Sequence, residues 1–357
     1  DGFAVRAQDL SGARARSPVI LRLAGESRAG RPAEAALQPG EAIAISTGAM
    51  LPAGADAVVR VEDTARLDGG VEVALAPSVG SDVRRAGEDV EQGATVLRAG
   101  TTIGPIELGV LASLGNPRPR CAIRPRVSLL VTGDELSGPG DPLRPGMVRD
   151  TSSLTIGSMI ARAGALVENP VRVPDDRDRT REALERALED TEVCVVCGGV
   201  SVGEHDHVRP SLAAIGVEQV FWGIALRPGR PTWFGVRGRQ LVFGLPGNPV
   251  SAVVTFALLA APALRALQGA LEVAAGTTAV LDDTYEKRAG RAHAVRCRLR
   301  LAHDGWHARL TGRQGSHVLT SLLGADALAL IPASSTAVRA GERVAIEPLR
   351  TLTGWSA

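Results

Sequence analysis

Lysine is almost missing from this chain. Of its 40 basic residues in 357, 39 are Arg and one, Lys287, is Lys. Excess charge is missing too, because 39 acidic residues bring the net charge to +1. With no field of one sign to gather a polyanion, general nucleic-acid binding is not expected. No acidic or basic block marks a tail. Long apolar runs are lacking. The longest, Val250 to Leu264, falls short of the ~20 residues that span a bilayer and is followed by Arg265. No membrane partner is therefore expected. No signal peptide is read at the start, and Asp1 opens as if in mid-chain, so further N-terminal sequence is expected. Cysteine is sparse: four residues are too few for a disulfide scaffold at this length. Cys194 and Cys197 sit in Val-Cys-Val-Val-Cys, which reads as a buried strand and not as the exposed turn a redox pair needs. A cytoplasmic location follows as an expectation. Aromatics are rare at 3%.

What is present is ordinary for a soluble globular protein: 45% hydrophobic and 22% charged residues. The length suggests two or three domains, since single cores stop growing near ~250–300 residues. With 41 Gly and one Lys the composition resembles that of a GC-rich genome, and wherever the protein needs a cationic side chain it must nearly always use Arg.

Residues 1–88 are short β-like runs broken by Gly and Pro, which predicts a β-barrel-like domain. Residues 89–124 read as a connector, with Gly104-Pro105 opening an apolar helix that Gly115 ends. Residues 125–270 alternate apolar strands with helices, which predicts a three-layer α/β domain with a mostly parallel sheet. Strands are expected at 126–131, 166–173, 193–197 and 240–243. Helices are expected at 153–163, 177–189 and 249–267. Residues 271–357 return to β character, as a small C-terminal barrel.

In such an α/β sheet, ligands bind outside the carboxyl ends of the strands. Four unusual loops fall there. Gly198-Gly-Val-Ser-Val-Gly203 suits an anion, because Gly198, Gly199 and Gly203 let backbone N–H groups approach it and Ser201 adds a hydroxyl. The other reading is a tight strand-to-helix turn. Glu135, Asp175 and Asp206 lie in these loops, with Asp176 and Glu204. Converging carboxylates suit Mg2+; for each alone, helix capping is the alternative. Arg227-Pro-Gly-Arg230-Pro231 offers two guanidinium forks to an oxyanion, or is a solvated basic turn. In Gly244-Leu-Pro246-Gly-Asn248-Pro249, Asn248 reads as a helix cap with Pro249 at the first position, and the rigid turn either only caps or walls a flat ligand. His205 and His207 flank Asp206 with no third zinc-spaced ligand.

Taken in order, these motifs resemble the molybdopterin molybdenumtransferases, the MoeA-type family that includes the gephyrin E domain. The resemblance runs through the whole chain. Asp1-Gly-Phe-Ala4, Thr47-Gly-Ala-Met-Leu-Pro52, Arg84-Arg-Ala-Gly-Glu-Asp89 and Gly312-Arg-Gln-Gly-Ser316 match family motifs as well. The resemblance implies Mg2+-dependent insertion of molybdenum from molybdate into adenylated molybdopterin, releasing AMP and forming molybdenum cofactor. It implies a homodimer whose cleft is completed by the partner subunit, and a molybdopterin adenylyltransferase as a candidate partner. By motif, Asp1, Thr47, Asp89, Glu135, Asp175, Asp206, Pro246 and Pro249 fall on the family's active-site positions. Arg227, Arg230 and the Ser201 or Ser316 hydroxyls are the groups expected to hold molybdate. Arg227 and Arg230 stand where many members have Lys, and Ser152 where many have Asn. Two other readings remain open: a nucleotide-handling relative that kept the α/β domain, and a scaffold whose site has decayed.

Overall fold

The computed structural model describes residues 1–204, 206–270 and 276–350. His205 and the 271–275 start of the expected C-terminal barrel lie outside them. Two compact units emerge, Asp1–Val96 and Leu97–Ala357.

The first unit is built on one six-stranded sheet. Its strands are β1 (Gly2–Val5), β2 (Val19–Ser27), β3 (Glu41–Ile45), β4 (Ala57–Arg60), β5 (Thr64–Leu67) and β6 (Gly70–Val73), in the order β4-β1-β3-β2-β6-β5. Its central strands are apolar at successive positions, because they are buried on both faces. Phe3 and Val5 join a core with Leu10, Leu21 and Val71. Ala4 faces the other way, with Ile43, Ile45 and Leu37.

The second unit opens with α1 (Pro105–Ser113). Pro105 takes the first turn, where no N–H is needed, and Glu107 accepts from the Gly104 N–H at 2.9 Å. The strands β7 (Arg126–Thr132), β8 (Leu136–Ser137) and β9 (Val148–Arg149) follow, then α2 (Ser152–Arg162). The stretch 166–173 makes two short strands, β10 (Leu166–Val167) and β11 (Val171–Val173), both parallel to β7. Next come α3 (Arg177–Ala187), β12 (Val193–Cys197), α4 (Val208–Ala214), β13 (Glu218–Trp222), β14 (Leu226–Arg227), β15 (Trp233–Arg237) and β16 (Gln240–Leu245). The main sheet has the order β10-β7-β12-β16-β15-β13, with β15 antiparallel to both β13 and β16. That antiparallel edge was not read from the sequence.

Alternate residues of the central strands enter opposite cores. Leu129, Val131, Val195 and Cys197 pack with α2 and the 249–267 helix. Leu130, Cys194 and Val196 pack with Leu184 of α3 and Leu212 of α4. This is the three-layer α/β arrangement. The helical run 249–267 is continuous but widens over Phe256–Ala260, between α5 (Pro249–Thr255) and α6 (Ala261–Leu267). Pro262 has no N–H to give the preceding turn, which accounts for the widening. The run is long and apolar enough to cross a membrane, yet most of it is buried in this core.

The last region forms a barrel from β17 (Thr278–Leu281), β19 (Ala292–Ala302), β20 (Gly305–Leu310), β21 (Ala327–Ile331) and β23 (Arg343–Pro348), while β18 (Tyr285–Glu286) and β22 (Ala337–Val338) pair as a separate two-stranded ribbon. The order β19-β20-β17-β23-β21 closes because β21 also pairs with β19. The short β14 adds to β19 and so ties the 223–231 loop to the barrel.

Candidate functional site

From β7 the chain moves to β10 and β11 on one side, then returns to place β12 on the other. The loops after β7 and β12 therefore leave in opposite directions, which opens a crevice at the carboxyl edge of the sheet. A cavity of about 720 Å³ lies there, within the usual size of a small-molecule site.

The glycine loop walls it. Gly198 and Gly199 have φ of +97° and +65°. A Cβ on Gly198 would lie 2.7 Å from Thr132 Oγ1 and 2.9 Å from its carbonyl oxygen, so side chains are excluded by both conformation and contact. Thr132 is 8% exposed, and its Oγ1 is buried with no hydrogen-bond partner among the described residues. Such an atom at a site edge is a ready contact for a ligand oxygen. Ser201, Gly203 and Glu204 also line the cavity.

Glu135, Asp175 and Asp206 border the same cavity. Asp175 Oδ2 accepts from the Asp134 N–H at 3.3 Å, and Asp134 Oδ1 accepts from the Asp175 N–H at 3.1 Å, which ties the loops after β7 and β11 together. Asp206 does not cap α4, whose N-cap is His207. It accepts from the Gly203 N–H at 2.7 Å and so closes the glycine loop. Asp176 is a cap, accepting from the Arg179 N–H at 2.9 Å. Among the described residues, no three His, Cys, Asp or Glu side chains already form a metal cage. Mg2+ does not require one, since it keeps waters and takes one or two carboxylates plus phosphate oxygens. An all-oxygen donor set at a phosphate-sized cradle fits that ion.

Pro246, Asn248 and Pro249 line the cavity beside the glycine loop, where a Cβ on Gly247 would lie 3.6 Å from the Gly198 Cα. Asn248 occupies the N-cap position of α5, but its side chain makes no capping bond. The expected cap is therefore absent, and its amide borders the cavity.

Arg227, Arg230 and Ser316 are not among the residues that line the cavity. Arg230 borders an adjoining groove of about 640 Å³ that shares Ser201 and Pro231 with it. Arg227 lies near Tyr285 and His293, where burial first and then its charge lower the His293 pKa. Ser316 precedes His317, which does line the cavity. The 313–315 turn is held by Arg296, wholly buried, whose Nη2 donates to the Arg313 and Gly315 carbonyls at 3.2 Å each. In the first unit, the Thr47 N–H donates to Asp1 Oδ1 at 2.7 Å, and both border a separate cavity of about 700 Å³. Asp89 follows Glu88, which also borders it.

Sequence reasoning missed Thr132, Asp150 and His317. Asp150 is buried, lines the cavity, and accepts from the Ser153 N–H at 2.9 Å and from the Ser153 hydroxyl in the first turn of α2. An Asp three residues before a Ser at a helix start was the available signal. The two central cysteines are inert core. Burial pushes the Cys194 thiol up to about 12, and burial and then Asp150 push Cys197 higher still.

Residues 1–115 match the MoeA N-terminal region (domains I and II), 128–266 a probable molybdopterin binding domain, and 278–349 the MoeA C-terminal region (domain IV). A molybdopterin molybdenumtransferase of Haemophilus influenzae is 35% identical, over 99% of this chain and 87% of its own length. Molybdopterin molybdenumtransferase 2 of Mycobacterium tuberculosis is 36% identical, over 97% of this chain and 86% of its own. The crystal structure of a molybdopterin biosynthesis MoeA protein from Pyrococcus horikoshii OT3 superposes with a TM-score of 0.81 at 30% identity, covering 97% of this chain and 85% of that one. With all three regions matched in order and 86–87% of each curated relative's own length covered, this chain belongs to the MoeA-type molybdopterin molybdenumtransferase family, a family of transferases.

Proposed function

We propose that this protein transfers molybdenum from molybdate to adenylated molybdopterin in a Mg2+-dependent reaction that releases AMP and forms molybdenum cofactor. The observation that carries the reading is the convergence of Gly198–Gly203, Glu135, Asp175 and Asp206 on one cavity at the carboxyl edge of the sheet. The N–H groups of the glycine loop take the pyrophosphate linkage of the adenylate, helped by the partial positive charge at the α4 and α5 starts. Glu135, Asp175 and Asp206 are the residues that would hold Mg2+, which would supply Lewis-acid polarisation of a phosphoryl oxygen. Pro246, Asn248 and Pro249 form the wall that orients the flat part of the substrate. Arg230 with Ser201, and Arg227 and Ser316 from nearby loops, supply the donors for molybdate. The pterin brings the dithiolene sulfurs, so no cysteine nucleophile is required, in keeping with the inert thiols of Cys194 and Cys197.

We further propose a cytoplasmic homodimer in which Asp1, Thr47 and Asp89 serve the partner subunit's cleft, and a molybdopterin adenylyltransferase that hands over the adenylate. The domain organisation we infer is 1–88, 89–124, 125–270 and 271–357. The test is molybdenum transfer in vitro. Adenylated molybdopterin, molybdate and Mg2+ are supplied, and reactivation of a molybdenum-free apoenzyme is measured. Reactivation dependent on this protein supports the reading. ATP-dependent adenylation of molybdopterin without transfer replaces it with the adenylyltransferase reading, and tight binding without turnover with the scaffold.

A further inference from the structure

Two side chains hold the glycine loop. Trp222, at the end of β13, donates its Nε1–H to the Val200 carbonyl at 2.9 Å. Arg209, in the first turn of α4, donates an Nη1–H to the Ser201 carbonyl at 3.3 Å. The Arg209 guanidinium carbon lies 4.3 Å from the centroid of the Trp222 ring. The two grips are therefore one stacked unit, joined by a cation–π contact. Arg209 Nε is buried with no hydrogen-bond partner among the described residues. An unpartnered buried donor is unfavourable, and an arginine free to swing into water would avoid it.

We propose that Arg209 and Trp222 are positioning residues for the reaction proposed above: they set the direction of the loop N–H groups that receive the substrate's pyrophosphate. In a trans peptide the C=O and the N–H point in opposite directions. Turning the Val200 carbonyl toward Trp222 therefore turns the Ser201 N–H away from it. Turning the Ser201 carbonyl toward Arg209 does the same for the Val202 N–H. Successive N–H groups aimed alike form an anion-binding concavity. Val200 is the fixed end of this device. It is buried, and a Cβ on Gly244 would come within 2.7 Å of its Cγ1. Ser201 is where the device meets the substrate, because it borders both the main cavity and the groove that Trp222 lines. A lysine in place of Arg209 keeps a donor for the Ser201 carbonyl but has no plane to stack on the indole.

The role rests on the molybdenumtransferase reading, and two readouts separate the two claims. The first is amide hydrogen exchange over peptides spanning 198–206 in the ligand-free protein. Arg209→Met and Trp222→Phe are expected to speed exchange there by roughly tenfold while the strands stay protected. The second is the dissociation constant of adenylated molybdopterin, set beside the half-saturating molybdate concentration. Arg209→Met is expected to weaken adenylate binding about tenfold and Arg209→Lys about threefold, with molybdate half-saturation unchanged. Unchanged exchange and unchanged adenylate affinity in Arg209→Met overturn the positioning role even if the wild type is active. Faster exchange throughout the α/β domain also overturns it, since the residue would then be merely structural. If the wild type binds no adenylate, the molybdenumtransferase reading fails, and the exchange experiment still decides whether the loop is braced.

Discussion

Along the strands of the central sheet, the body and the carboxyl edge follow opposite rules. In the body, Val193–Cys197 is apolar at every position and wholly buried, with side chains entering two cores. At the edge, one residue further on, glycines take left-handed conformations, a buried threonine hydroxyl has no partner among the described residues, and five carboxylates (Glu135, Asp150, Asp175, Glu204 and Asp206) border one cavity. The body maximises burial. The edge leaves polar groups short of partners, and it is there that a ligand of complementary chemistry is accommodated. Substitutions at the edge should therefore affect binding and turnover out of proportion to stability, except where the glycine geometry itself fails.

The largest effect is expected where both rules meet. Gly198→Ala places a Cβ against Thr132 in a left-handed conformation. It should destabilise by about 2–4 kcal/mol and abolish adenylate binding, as thermal melting and calorimetry would show. Asp206→Asn comes next. The amide oxygen can still accept from the Gly203 N–H, so melting should stay within about 2 °C while turnover falls about 100-fold. Equal losses of stability and turnover there would erase the distinction between body and edge.

The body has its own test. Burial raises the Cys194 thiol from 9.0 to about 12. A pKa raised by folding contributes stability that is complete below the unfolded pKa and is lost as pH rises through the folded one. Stability should therefore fall between pH 9 and 12, by at most about 1.4 kcal/mol per pH unit for such a thiol. Cys194→Ala should flatten that slope in alkaline denaturation curves. The smallest effect belongs to Asn248→Ala. Because the Asn248 side chain makes no cap bond, stability should change by less than about 0.5 kcal/mol, against about 1 for a true cap. Turnover should fall several-fold, read from initial rates against urea midpoints.

Much of this was legible in the sequence because local rules settle it. Pro105 and Pro249 mark helix starts since proline needs no N–H partner there. The run Val193–Cys197 can only be a strand buried on both faces. The glycines and carboxylates of the site announce themselves by falling just after such strands. What stayed hidden depends on partners distant in the chain. Arg296 looks like any β-strand arginine until the 313–315 carbonyls fold over it. Arg209 and Trp222 are 13 residues apart and meet only because β13 returns beside α4. The hairpin of β13 and β15 was obscured by the Pro- and Gly-rich 223–231 segment, which reads as an isolated turn. Asn248 has the right type and place for a cap, and only its side-chain geometry shows otherwise.

The most direct test of the account is AMP release from adenylated molybdopterin in the presence of molybdate, by the full-length protein and its Asp206→Asn variant, with and without Mg2+. The account predicts AMP released in step with molybdenum insertion, dependent on Mg2+ and nearly lost in Asp206→Asn although that variant still folds. Full activity of Asp206→Asn, or wild-type release indifferent to Mg2+, would contradict it.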